Sequence, residues 1–520
     1  MQIDFFRPTK PWLFSCILLG FLAWLILFTA GLHFYVGATT VYVAFSLVFS
    51  ALLVSGIYKR RSYGYLFLVL FLWLGFWFKL TANFLLFGSF PFGEPVGYFD
   101  SSPAAWDEVL LVATCAGFGV LIGRGIYAYF GPNINSKPLA EAPPWYAASR
   151  AWLWAIALML SSGIAVFNVV YGIHQIGITA RTILPWPLNA LIAWMLNLGS
   201  AIIIAVLIWW DCVSPRKITW TFFGMLGDAF LSTVSVISRS AFPFHSIPQM
   251  LALHDMKQVS GQYTTSQKII AASLFITLCF ASVTAVSFLR DHQYTASKSL
   301  PAPTPTHKNA LPTIGAPAVE NVIDTSSAAK PISSFRLILI HQLLVNRWIG
   351  LEGVMAVASS QKKGSEVFWA MVTEKRKAGI VTEYQSISNS GYQLGDTKYQ
   401  FASLPGPAAF FLYSGSFLVV FGGMVMMTLL VIGAEQLVFL FTRNPLLCSL
   451  AGITFANTVA QFGIAPRQDI PYLSMIIFSA ILIAFLQSQL FADLLPLNHT
   501  SHFSNESIDL ENDGHENKKI

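Results

Sequence analysis

The residues whose types could do chemistry gather in and around Phe335–Ser360, FRLILIHQLLVNRWIGLEGVMAVASS. The stretch is apolar enough to lie against a membrane or a buried wall, yet it carries Arg336, His341, Arg347 and Glu352 and a Gly-x-x-Gly step at Gly350 and Gly353. Arg336 and Arg347 are eleven residues apart, three helical turns, so on one helix both guanidinia point the same way. Glu352 follows Arg347 by five residues and faces elsewhere unless the helix breaks at Gly350. Two readings stand side by side: a structural helix with a surface ion pair, and an anion-and-base site at a membrane surface.

Other candidates are scattered. Arg181, Arg239 and Arg467 sit one to a turn between apolar runs. An arginine fork suits phosphate and keeps its charge when partly desolvated, although contact with lipid headgroups would explain any single one. Lys79 lies within the apolar run FWFKLTANF and Asp228 within FGMLGDAFLS. Charge at that depth is costly and functional by default, but a Lys79–Asp228 pair would be a structural alternative, and Asp228 reads either as a buried structural partner or as a proton site. His245, in FPFHSIP, could meet a sugar or diphosphate, or end a helix. Tyr98, Trp106, Trp186 and Trp348 could stack on sugar rings. The chain has no Walker A sequence, no His-Glu-x-x-His, no Cys-x-x-Cys and no Asp-x-Asp. An ATP-driven pump, a zinc site, a thiol redox site and a metal–diphosphate site therefore lack support, and neither metal nor cofactor is expected.

The elements that must position these groups can be read from composition. Of 520 residues 55% are hydrophobic and only 11% charged. That much apolar surface implies a polytopic membrane protein, and recurring apolar runs near 20 residues favour helices over a β-barrel. The net charge of +6 comes from inter-span turns and is no nucleic-acid footprint. The expected fold is all-α with about 11–12 transmembrane helices and one large loop late in the chain. Residues 1–289 form an N-terminal bundle of about seven spans, a broken or re-entrant helix near 238–253 and a further span. Within it, Trp220–Leu253 is too long for one span and too short for two ordinary ones. Residues 290–404 are the large loop, with 290–334 a Pro/Ala/Ser/Thr-rich tether and 335–380 helical. Residues 405–492 return to the membrane, the first span running as one long helix from Pro405 to about Phe441, and 493–520 are a polar, disordered tail.

Basic residues set the orientation. With the N-terminus cytoplasmic, the inner segments hold Arg7, Lys10, Lys59, Arg60, Arg61, Arg124, Lys137, Arg150, Arg216, Lys217, Lys257, Lys268 and Arg443, against Arg181, Arg239 and Arg467 outside. This bias places the large loop outside and both termini inside, and it depends on 238–253 returning through the membrane.

The layout resembles the bacterial O-antigen polymerase and ligase families, membrane glycosyltransferases of the GT-C type. The matching features are Ser238-Arg239-Ser240 at the end of a span, Asn346–Val354 (NRWIGLEGV) in the loop, and Leu404–Ser416 (LPGPAAFFLYSGS) entering the next span. The likeness covers about 10–490, and architecture carries more of it than identity. It implies an inner-membrane enzyme whose periplasmic face joins undecaprenyl-diphosphate-linked oligosaccharides for O-antigen or exopolysaccharide. Its partners would be membrane lipid, a flippase and a chain-length regulator, with no nucleic acid. By that likeness Arg239, Arg347, Arg467 and Arg336 hold the diphosphate, and Glu352 or His341 is the base. The low-complexity tether departs from a compact catalytic loop. The rival readings are a flippase or secondary transporter built on Lys79, Asp228 and His245, and a non-enzymatic assembly component.

Overall fold

A computed structural model describes residues 11–58, 62–131, 139–178, 180–213, 221–256, 264–298, 341, 344–375, 381–389, 404–464 and 466–488. Among these residues the regular structure is helical, and nine helices are long and apolar enough to cross a membrane. In chain order the first six helices are α1 Pro11–Phe34, α2 Thr39–Ile57, α3 Tyr63–Phe87, α4 Pro103–Phe130, α5 Tyr146–Tyr171 and α6 Leu188–Val213. Two helices of 15 residues come next, α7 Thr221–Ser235 and α8 Ala241–Asp255, and then α9 Thr265–Lys298. Short helices α10 Leu351–Ala358, α11 Ser365–Thr373 and α12 Glu383–Ile387 belong to the late loop. The chain ends with α13 Pro407–Leu412, α14 Phe417–Thr442, α15 Pro445–Ala460 and α16 Asp469–Leu486. The protein is a multi-pass membrane protein.

Two expected boundaries change. The single helix expected from Pro405 to Phe441 is two, because Tyr413–Ser416 turns between α13 and α14, with Gly415 at φ +73°. A residue with a Cβ would be strained there. Helix α9 continues to Lys298, into the segment read as a tether; the rest of that tether, 299–334, lies outside the described residues. The Trp220–Leu253 region resolves into α7 and α8. Arg290 of α9 donates to the Ile237 carbonyl at 2.8 Å, so the end of α9 shares a face with the α7–α8 turn.

Small residues and satisfied polar groups hold the bundle together. Gly119 and Gly123, one turn apart on α4, let α14 approach: a Cβ at Gly119 would stand 2.7 Å from the Phe421 carbonyl oxygen. Without a hydrophobic drive between helices in lipid, this close packing is what associates them. Further along α14, Glu435 accepts from the Ser62 hydroxyl and from the Tyr63 and Gly64 N–H groups at 2.9 and 2.7 Å. It thereby satisfies the first-turn donors of α3 that lipid cannot. Asp211 ties α6 to α5 through Arg150 (2.5 and 2.8 Å), Tyr146 (2.7 Å) and Trp154 (3.1 Å).

Candidate functional site

The site is built where the late loop enters the bundle. Residues 345–350 form a turn before α10 starts at Leu351, so Arg347 and Glu352 do not share one unbroken helix. The cause is backbone contact with α3: a Cβ on Gly350 would lie 1.8 Å from the Gly75 carbonyl oxygen. Gly75 itself lies in a π-turn, Leu74–Phe78, and a Cβ there would meet the Ile349 oxygen at 1.9 Å. On the other side of α10, Gly353 abuts the Pro405 carbonyl, where a Cβ would stand 1.9 Å away. Arg347 therefore sits in the turn rather than on a helix shared with Arg336, and Arg336 lies outside the described residues.

Lys79 and Glu352 are ion-paired and almost fully buried, the side chains 1% and 3% exposed. Lys79 Nζ also donates to the carbonyls of Trp348 (3.1 Å) and Asn346 (3.4 Å), so one ammonium organises the whole turn. The carboxylate paired with Lys79 is thus Glu352 and not Asp228, the structural alternative that the sequence offered. Glu352 also lies close enough to Tyr384 for its charge to act there. Burial first, then the Glu352 and Glu94 carboxylates, push the Tyr384 phenol well above its usual range. His341 is buried and held from the α3 side, its Nε2 donating to Asn83 Oδ1 at 2.7 Å with Phe87 edge-on at 4.8 Å. Desolvation, then the Lys79 charge, lowers its pKa. Both candidate bases are thus enclosed and engaged.

The arginines are arranged differently. Arg239 lies in the turn between α7 and α8, its Nε buried and without a hydrogen-bond partner. Arg347 has an open surface, yet atoms of the surrounding wall crowd it. Desolvation and then the Arg239 charge lower its pKa, so two guanidinia from segments distant in sequence are close enough to repel. An aromatic stack fixes the approach. Phe71 of α3 lies between Trp348, beside Arg347, and Phe244 of α8, with ring centroids at 6.0 and 5.7 Å. Arg239 also precedes the N-terminus of α8, where a cation is disfavoured and an anion favoured. Among the described residues neither guanidinium has a carboxylate partner. Arginine forks suit phosphate or carboxylate.

Arg467 is not shown with this pair. It lines the mouth of an apolar cavity of about 580 Å³ between α14, α15 and α16, roofed by Phe368 and Trp369 of α11. Asp228 and His245 face each other inside the bundle, with Ser161 on Asp228 at 2.6 Å. Of the aromatics, Tyr98 and Trp186 are exposed and Trp348 is half-buried, whereas Trp106 is sealed among Tyr35, Phe84, Phe90 and Phe99. Sequence reasoning missed Asn83 and Arg290, whose polarity within or at the end of an apolar run was the available signal. Among the described residues no cluster could hold a metal ion. No family model, curated protein or solved structure matches the chain.

Proposed function

We propose that this membrane protein is a glycosyltransferase that polymerises or ligates oligosaccharides carried on a lipid diphosphate, on the face that bears the late loop. The observation that carries the reading is the Arg239–Arg347 pair, two guanidinia held together without a described carboxylate beside a helix N-terminus. In this reading an acceptor hydroxyl oxygen attacks the anomeric carbon and the bond from that carbon to the diphosphate oxygen breaks. The acceptor's proton passes to the departing diphosphate. Negative charge grows on the phosphate oxygens as they leave, and fixed arginines stabilise it more in the transition state than in the ground state. The energy comes from the donor bond, in keeping with a sequence that lacks an ATP-binding motif.

Glu352, sealed against Lys79, is in this reading a positioning residue that holds the Arg347 turn. The test is the surface-glycan ladder of a strain in which the gene is deleted and then restored as wild type, Arg239→Ala or Arg347→Ala. The reading expects long chains from wild type only, at equal membrane abundance. Loss of chain length with one repeat still attached identifies a polymerase, and loss of all attached glycan a ligase or a flippase. Full-length ladders from both variants would refute the assignment.

A further inference from the structure

Beneath the arginine pair the bundle encloses a second ionisable group of residues that the glycan reading does not use. Asp228 on α7 and His245 on α8 are each 2% exposed. His245 Nε2 lies 2.8 Å from the main-chain oxygen of Asn197, in the π-turn Met195–Gly199 of α6. A carbonyl oxygen only accepts, so Nε2 carries a hydrogen. That leaves Nδ1, which has no hydrogen-bond partner and faces Asp228 Oδ2 at 3.6 Å. The other carboxylate oxygen, Oδ1, accepts from the Ser161 hydroxyl on α5 at 2.6 Å. Without a further proton, a carboxylate and an imidazole lone pair would confront each other in a medium of low dielectric, where such repulsion is strong.

Among the described residues the charges on the surrounding elements are placed elsewhere: Arg239 stands in the α7–α8 turn, near enough to Arg347 for the two charges to repel. Arg150 and Asp211 pair with each other, Arg290 is engaged at the Ile237 carbonyl, and His254 and Asp255 lie at the far end of α8. Helix α15 contributes no Asp, Glu, Lys, Arg or His, and Lys268 lies at the start of α9. His174 meets the Asn197 side chain at 3.0 Å.

We propose that Asp228 and His245 form a proton-binding site within the membrane, one proton being held between Oδ2 and Nδ1. Whether that proton rests on the acid or on the ring, the pair has bound one proton, as an intramembrane acid–imidazole site for proton uptake or release requires.

The experiment is nitrogen-15 NMR of histidine-labelled, full-length protein in lipid nanodiscs from pH 6 to pH 8. The His245 signals are assigned by their loss in His245→Gln. The expected result is an Nδ1 that is protonated or strongly hydrogen-bonded in wild type and whose shift moves in Asp228→Leu. An Nδ1 with the shift of a free imidazole lone pair in the wild-type protein overturns the site. That measurement needs no variant beyond the assignment and is indifferent to whether the arginine pair binds diphosphate.

Discussion

Gly75 and Gly350 meet backbone to backbone, and each occupies the space that the other's side chain would need: a Cβ on Gly350 would lie 1.8 Å from the Gly75 oxygen. The contact carries the late loop into the wall of α3 and starts α10 at Leu351. Gly350→Ala should lower stability by about 1–3 kcal/mol or more, the usual cost of overpacking. Gly422→Ala is the control, since that position on α14 has no neighbour within 4 Å of a Cβ. Thermal unfolding in detergent should show a large drop for the first and none for the second.

The Lys79–Glu352 pair predicts a thermodynamic cycle. Removing one partner leaves an uncompensated buried charge and should cost about 3–5 kcal/mol, whereas replacing both with apolar residues is often near neutral. Lys79→Met and Glu352→Leu should each destabilise strongly, and the double variant should recover much of the loss. Denaturation of the four proteins side by side measures this, and simple additivity would argue against a direct pair.

For Arg239 and Arg347, inorganic pyrophosphate should raise the melting temperature of the wild type, because a ligand that binds only the folded state stabilises it. Lysine at either position keeps the charge but loses the paired donors, so the rise should shrink. In the glycan assay alanine should cost on the order of a hundredfold in rate, as removal of one charge-stabilising donor does elsewhere. A pyrophosphate shift unchanged in both alanine variants would place the anion site somewhere else.

His341 sets a pH trend. Its pKa in the fold is lowered, so the unfolded chain binds the proton more readily. Stability from this group is present above the ordinary histidine pKa of about 6.5 and is lost as pH falls through that range. His341→Gln can still donate to Asn83 and has no proton to gain. The drop in melting temperature between pH 7.5 and 5.5 should therefore be smaller in the variant than in the wild type.

Orientation is open to labelling. The basic-residue bias expects a cysteine at residue 310 to react from outside the cell and one at residue 510 only from the cytoplasm. Reaction of position 310 from the cytoplasm would move the arginine pair to the inner face.

Much of the fold was legible because a run of about 20 apolar residues has few alternatives to spanning. The split of Trp220–Leu253 was legible from length alone. The break at Tyr413–Ser416 had its signal in Ser414-Gly415-Ser416, a small polar cluster that also fits a helix in lipid. The partner of Lys79 was not legible: Asp228 and Glu352 are both carboxylates, and only the Gly75–Gly350 contact brings the second one near. Arg347 and Arg336 looked aligned because helical spacing assumes an unbroken helix, whereas 345–350 is a turn held against α3 by a contact no local pattern reveals. The closeness of Arg239 and Arg347 likewise depends on Phe71, a third segment, to bring Phe244 and Trp348 together.

The brevity of α7 and α8 has a consequence for the bilayer itself. Fifteen residues at about 1.5 Å each make about 22 Å, whereas the hydrocarbon layer is about 30 Å thick. Untilted, this hairpin is short by about 8 Å, and the mismatch is met by thinning of the lipid or by water reaching down to the helix ends. The turn carrying Arg239 then lies at the floor of a dimple in the lipid boundary rather than on a flat surface. On the proposed function, an amphiphile whose charged head is recessed to that depth would meet the guanidinia without leaving the leaflet that carries its tail.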